Sequence, residues 1–141
     1  MKAYVQCDWT ASKASGEKYN PVFGERFQKL LADLESAGIS NVATWFITSN
    51  TEAYREQDKS CHAIRNCGEV DQADIVISLL MRQQPPYLHW GSISVMAYAL
   101  GQNKPCYVIA DDDCVVWKHH MLHHPNVTRV NGIEDIVTKR F

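Results

Sequence analysis

The sequence predicts an α/β domain with a mainly parallel β-sheet. Segments of strand character alternate with segments of helical periodicity along the chain, and Gly, Pro or polar clusters separate them. Residues 73–80, Ala-Asp-Ile-Val-Ile-Ser-Leu-Leu, form a nearly continuous apolar run rich in β-branched side chains. A strand that is apolar on both faces needs helices on both sides, the usual setting of parallel strands joined by right-handed crossovers.

The elements follow in order. Residues 3–7 form a short first strand, ending at Asp8-Trp9-Thr10, and a polar loop leads to Asn20-Pro21. Asn as N-cap with Pro at the first helical position starts a helix. Phe23, Phe27, Leu30, Leu31 and Leu34 then recur at helical spacing, and Gly38 stands where a left-handed C-terminal residue is expected. Residues 42–47, Val-Ala-Thr-Trp-Phe-Ile, have the composition of a second strand. A polar segment over 50–60 leads into a helix over 61–72, and the run at 73–80 is the third strand. Pro85-Pro86 breaks the chain, Gly91-Ser92 opens a helix through Leu100, and Lys104-Pro105 ends it before a strand at 106–110. A turn of three aspartates, a helical stretch to His124, an extended segment at 127–130 and a last helix near 133–139 complete the order.

The chain has 141 residues, about the size of one domain, and a single domain over 1–141 is expected. Its 14 Lys and Arg against 16 Asp and Glu leave a net charge of −2, with no block of like charges. Nucleic-acid affinity rests largely on cationic side chains that neutralise phosphates, so a backbone-gripping DNA or RNA binder is not expected. A small anionic ligand stays compatible with this balance. The apolar stretch at the N-terminus is too short for a secretory signal and no run reaches the length of a membrane span, so a cytoplasmic chain without membrane contact is expected. Five cysteines, an odd number without CxxC spacing and mostly beside apolar residues, suit reduced and mainly buried thiols.

Open parallel sheets bind ligands outside the carboxyl ends of their strands. Three loops qualify: Asp8-Trp9, residues 82–92, and residues 111–114. Asp8 can accept a hydrogen bond from a ligand hydroxyl or supply a carboxylate, or it can cap its own turn. Trp9 can stack on a planar ligand ring or lid the core.

Three segments together resemble the nucleoside 2-deoxyribosyltransferase superfamily, which also contains deoxynucleotide N-glycoside hydrolases. Residues 65–77, Arg-Asn-Cys-Gly-Glu-Val-Asp-Gln-Ala-Asp-Ile-Val-Ile, are similar to its helix-then-strand stretch, in which the position of Asn66 faces the ligand. Residues 91–105, from Gly91-Ser92-Ile93-Ser94-Val95-Met96-Ala97-Tyr98-Ala99 to Lys104-Pro105, are similar to its signature Gly-x-x-x-Glu-x-Gly-Tyr-Ala and the Gly-Lys-Pro that follows. The tail over 123–130, His-His-Pro-Asn-Val-Thr-Arg-Val, looks like that of short relatives. The resemblance implies a flavodoxin-like or Rossmann-like three-layer sandwich with a five-stranded sheet, a nucleoside or nucleotide ligand, no cofactor, and a homodimer or larger homo-oligomer.

The departures bear on chemistry. Aligned on Tyr98-Ala99 and Lys104-Pro105, the family's nucleophilic or activating glutamate falls on Val95, which can neither attack C1′ nor stabilise an oxocarbenium-like centre. Six residues earlier, where the transferases carry an aspartate that helps bind and protonate the base, stands His89. Histidine can act as acid or base near neutrality, so Asp8 and His89 are the candidate catalytic residues. Trp9, Asn66, Gly91, Ser92 and Ser94 are the candidate ligand-binding residues: Asn66 offers donor and acceptor, and the helix entrance offers backbone N–H groups and hydroxyls to a phosphate or carboxylate. The alternatives are a helix-surface Asn66, plain serine caps and a hydrogen-bonded loop His89. His119, His120, His123 and His124 have chelating spacing on a helix, but Pro125 limits that helix and no metal is expected. Three functions remain open: a nucleotide-binding relative with weakened catalysis, an active transferase or N-glycoside hydrolase using Asp8 and His89, and a non-catalytic oligomeric interaction protein.

Overall fold

The computed structural model describes residues 1–7, 21–48, 59–80 and 90–139. Strands β1 (Lys2–Cys7), β2 (Ser40–Asn41), β3 (Ile75–Leu80), β4 (Cys106–Ala110) and β5 (Val127–Arg129) form a sheet in the order β2-β1-β3-β4-β5. Every pairing is parallel. The helices are α1 (Pro21–Ser36), α2 (Trp45–Thr48), α3 (Lys59–Gln72), α4 (Trp90–Gly101) and α5 (Ile133–Lys139). Helix α1 packs with α5, and α3 with α4. Right-handed crossovers place these two pairs on opposite faces of the sheet. The result is the three-layer, flavodoxin-like arrangement expected from the sequence.

The core is densest around the inner strands β1 and β3. All six residues of β3 are buried, as are the last five of β1. From α1, Phe27, Leu30 and Leu34 pack onto the sheet, and from α4 Ile93, Met96, Ala99 and Leu100 do the same. Both helices end in the same closure. Gly38 takes a left-handed φ of 78°, with its N–H on the Glu35 carbonyl and the Ile39 N–H on the Leu34 carbonyl. Asn103, at φ 60°, repeats the pattern after α4, with its N–H on Leu100 and that of Lys104 on Ala99. Glycine or asparagine at this place satisfies the last helical carbonyls at low steric cost.

Two segments differ from the sequence reading. Residues 42–47 were expected as a strand, yet β2 stops at Asn41 and α2 begins at Trp45. The local N–H groups go to side chains: Ala43 donates to Asn41 Oδ1 at 2.9 Å, and Thr44 donates to the Glu69 carboxylate at 3.1 Å. The apolar residues serve an aromatic cluster in place of a sheet. Trp45 lies 5.3 Å from Phe27 and 5.6 Å from Phe46, and its Nε1 donates to the Val5 carbonyl at 3.0 Å. The second segment is the histidine run, expected as one helical stretch. It forms two short 3-10 turns, Val115–Lys118 and His120–His123, interrupted by extended backbone at His119 and ended by extended backbone at His124. Pro125 disfavours helical geometry at the residue before it, which accounts for the second break.

Candidate functional site

The chain leaves β1 toward β2 and returns on the other side as β3, so the strand order reverses between β1 and β3. Ligands in sheets of this type bind at the carboxyl ends of the strands at such a reversal. On the described residues that edge is formed by Cys7, Leu79, Leu80 and the entrance of α4. Asp8, Trp9 and His89, three of the residues singled out from the sequence, lie outside the described residues.

A buried polar network sits just below this edge. Gln6 and Ser78 are register partners on β1 and β3, and Gln6 Nε2 donates to Ser78 Oγ at 2.8 Å. The same nitrogen donates to the Ser92 backbone carbonyl in the first turn of α4 at 2.9 Å. Gln6, Ser78 and Ser92 are 4%, 0% and 5% exposed, so these bonds are made inside the core. Sequence reasoning missed Gln6 and Ser78, which sit inside apolar strands; only their polarity in runs otherwise fit for burial could have marked them.

The α4 residues predicted to meet a ligand share the first turns of one helix but differ in exposure. Gly91 and Ser94 are exposed, Ser92 is buried, and Val95 is partly buried and packed against the core. Val95 falls on the side of α4 that carries Tyr98 and Gln102, both of which reach Asp71 on α3. Hydrogen bonds from Gln102 and Tyr98 hold the Asp71 carboxyl below the usual carboxylate range, and Asp71 raises the Tyr98 phenol in turn. Lys104 adds a bond from Nζ to the Val70 carbonyl at 2.5 Å. This clamp fixes α4 beside α3.

Asn66 is half-buried on α3, and its Oδ1 accepts from Arg65 Nε at 3.3 Å and Nη2 at 3.1 Å. Arg65 Nε also stands 3.8 Å from Glu69 Oε1. Glu69, at 9% exposure, accepts from both the N–H and the hydroxyl of Thr44. Asp74 lies at the opposite edge of the sheet, where its carboxylate accepts the Lys2 N–H at 2.8 Å. The histidine rings serve the backbone: Nδ1 of His119 accepts from Met121, Nδ1 of His124 accepts from Asn126, and Nε2 of His123 lies 2.7 Å from the Trp117 carbonyl. Among the described residues no cluster of three or more His, Cys, Asp or Glu could hold a metal.

A cavity of about 280 Å³ opens on the other face of the sheet, between α1 and α5, over Leu79 and Ile109. Its rim carries Arg26 and Lys29 against Asp33 and Glu134, and Lys29 is paired with Asp33 at 2.7 Å. The charges on this rim balance in sign, which gives it no preference for an anion.

No protein-family model matches the sequence, and no curated protein matches it. Solved structures do match. One is the CMP N-glycosidase BcmB of Clostridium botulinum, with a TM-score of 0.57, 10% sequence identity, and coverage of 99% of this chain and 97% of that one. The shared property is the fold. It extends over nearly the whole of both chains.

Proposed function

We propose that the chain binds a nucleoside or nucleotide at the β1/β3 edge, and that Val95, in place of a carboxylate, leaves N-glycosidic cleavage or transfer weakened or altered. The observation that carries this reading is the end-to-end likeness to a CMP N-glycosidase. The strand reversal between β1 and β3 supports that edge as the place of the ligand. In this reading Gly91, Ser92 and Ser94 receive a phosphate or sugar oxygen, Asn66 offers its amide, and Trp9 stacks on the base. Cleavage of an N-glycosidic bond builds positive charge at C1′ as the base departs with the bond's electron pair. A carboxylate stabilises that charge or attacks it, and a general acid returns a proton to the base. Val95 can do neither. Asp8 and His89 are the residues that can supply a carboxylate and a proton if the protein turns over.

The test pairs ligand-induced stabilisation with release of free base, using CMP, dCMP and the other common nucleotides and nucleosides. A ligand at about 100 times its Kd adds about 2.7 kcal/mol, which for a chain of this size raises Tm by about 5–10 °C. The expected result is stabilisation with little release of base, and base release appearing or rising in Val95→Glu. Release at enzyme-like rates that is lost in Asp8→Asn or His89→Ala establishes the active-enzyme alternative instead. Absence of stabilisation by every nucleoside and nucleotide overturns the reading.

A further inference from the structure

Gln6 ties β1 and β3 to the first turn of α4 at the ligand edge. Its Nε2 has two hydrogens and two acceptors, Ser78 Oγ at 2.8 Å and the Ser92 carbonyl at 2.9 Å. A backbone carbonyl can only accept, so the bond to Ser92 fixes which way the amide faces. The neighbours along both strands are apolar: Val5 and Cys7 on β1, Ile77 and Leu79 on β3. Burial alone is served as well by an apolar pair, because replacing both partners of a buried hydrogen bond with apolar groups of similar shape is close to neutral for stability. A methionine and an alanine at these places keep the packing but have nothing to offer the Ser92 carbonyl. The amide therefore contributes geometry that burial does not require. It sets the height and rotation of the first turn of α4 over the β1/β3 seam, and with it the places of Gly91, Ser94 and Val95.

We propose that Gln6 is a positioning residue that holds the entrance of α4 in its ligand-competent place through the Ser92 carbonyl, an inference that rests on the β1/β3 edge being the nucleotide site. Gln6 acts through the helix and touches no ligand itself. Its loss lets the entrance sample other positions, and apparent affinity falls by the fraction of molecules that remain competent.

The experiment compares wild type, Gln6→Met and the double variant Gln6→Met/Ser78→Ala. It measures hydrogen exchange of the Ser94, Val95, Met96 and Ala97 amides without ligand, and CMP affinity by thermal stabilisation. Both variants are expected to exchange those amides about fivefold faster or more, with the amides of β3 and β4 unchanged, since one net hydrogen bond is lost locally. The double variant is expected to recover the unfolding midpoint of wild type yet keep an apparent CMP affinity about tenfold weaker, as follows if the competent fraction falls to about a tenth. Wild-type exchange at the entrance in both variants overturns the proposal. So does a double variant whose exchange and CMP affinity return with its stability, because the amide then matters only for packing. If CMP does not stabilise even the wild-type protein, the nucleotide reading fails, and the exchange measurement still decides whether Gln6 positions α4.

Discussion

The thiol of Cys106 makes stability depend on alkaline pH in a way the structure quantifies. Cys106 is fully buried at the start of β4, and its Sγ lies 3.8 Å from the Lys104 carbonyl, which suits a thiol donor and not a thiolate. Burial pushes the thiol from an ordinary 9.0 up to about 12. A group raised in the folded protein leaves stability intact below its unfolded value and lowers it as pH rises from there toward the folded value. The affected window therefore begins near 9.0 and closes near 12. With about 1.4 kcal/mol for each tenfold change in ionisation, moving from about pH 8 to about pH 10 removes about 1.3 kcal/mol through this one residue. Urea unfolding of wild type and Cys106→Val at the two pH values isolates that difference, since the other titrating groups are common to both. A thiol reagent at about pH 8 gives a second reading, in which exposed Cys61 reacts and buried Cys106 does not. Equal pH dependence in the two proteins, or native Cys106 reacting as fast as in the unfolded chain, refutes the reasoning.

Two more outcomes follow from the α3 contacts. Glu69→Ala removes both acceptors of Thr44 and the charge beside Arg65, and is expected to lower unfolding stability by about 2–4 kcal/mol in a urea titration, with Glu69→Gln losing about half as much. Below about 1 kcal/mol for the alanine variant, the Glu69 contacts are not holding residues 43–44 in place. Asp71 is held low by Gln102 and Tyr98, so its contribution is present above the ordinary 3.8 and fades as pH falls through the lower folded value. The gap in Tm between wild type and Asp71→Asn should accordingly narrow only below pH 3.8; a gap that does not change with pH removes the carboxylate from the clamp.

The elements legible in the sequence were those whose signals are local. The apolar run over 73–80, the helix start at Pro21 and the Gly38 stop need only their neighbours to be understood, and they appear as β3, over Ile75–Leu80, and as the two ends of α1. The segment over 42–47 was not legible because its deciding partners are distant. Glu69 draws the Thr44 backbone from 25 positions away, and Val5 takes the Trp45 indole across 40. Without those partners, aromatic and β-branched residues in a row have the composition of a strand. The candidate site divides in the same way. Gly91, Ser92 and Ser94 could be found as a helix entrance, whereas Gln6 meets Ser78 and Ser92 across 72 and 86 positions, a separation no local pattern reports.

That separation also sets an order of events during synthesis. β1 is the first strand to be made, yet its inner partner is β3, with Ala3 opposite Ile75 and the Lys2 N–H on Asp74. At about 5–20 residues per second, β1 waits about 4–15 s for the segment that completes it. Through that interval an apolar strand destined for the middle of the sheet has an open edge, and nascent-chain chaperones have their longest opportunity to hold it. Contacts of such long range also slow the search once the chain is complete. The strand that carries Gln6 is thus made first and secured late, and the β1/β3 edge takes shape only once the chain through α4 has been made.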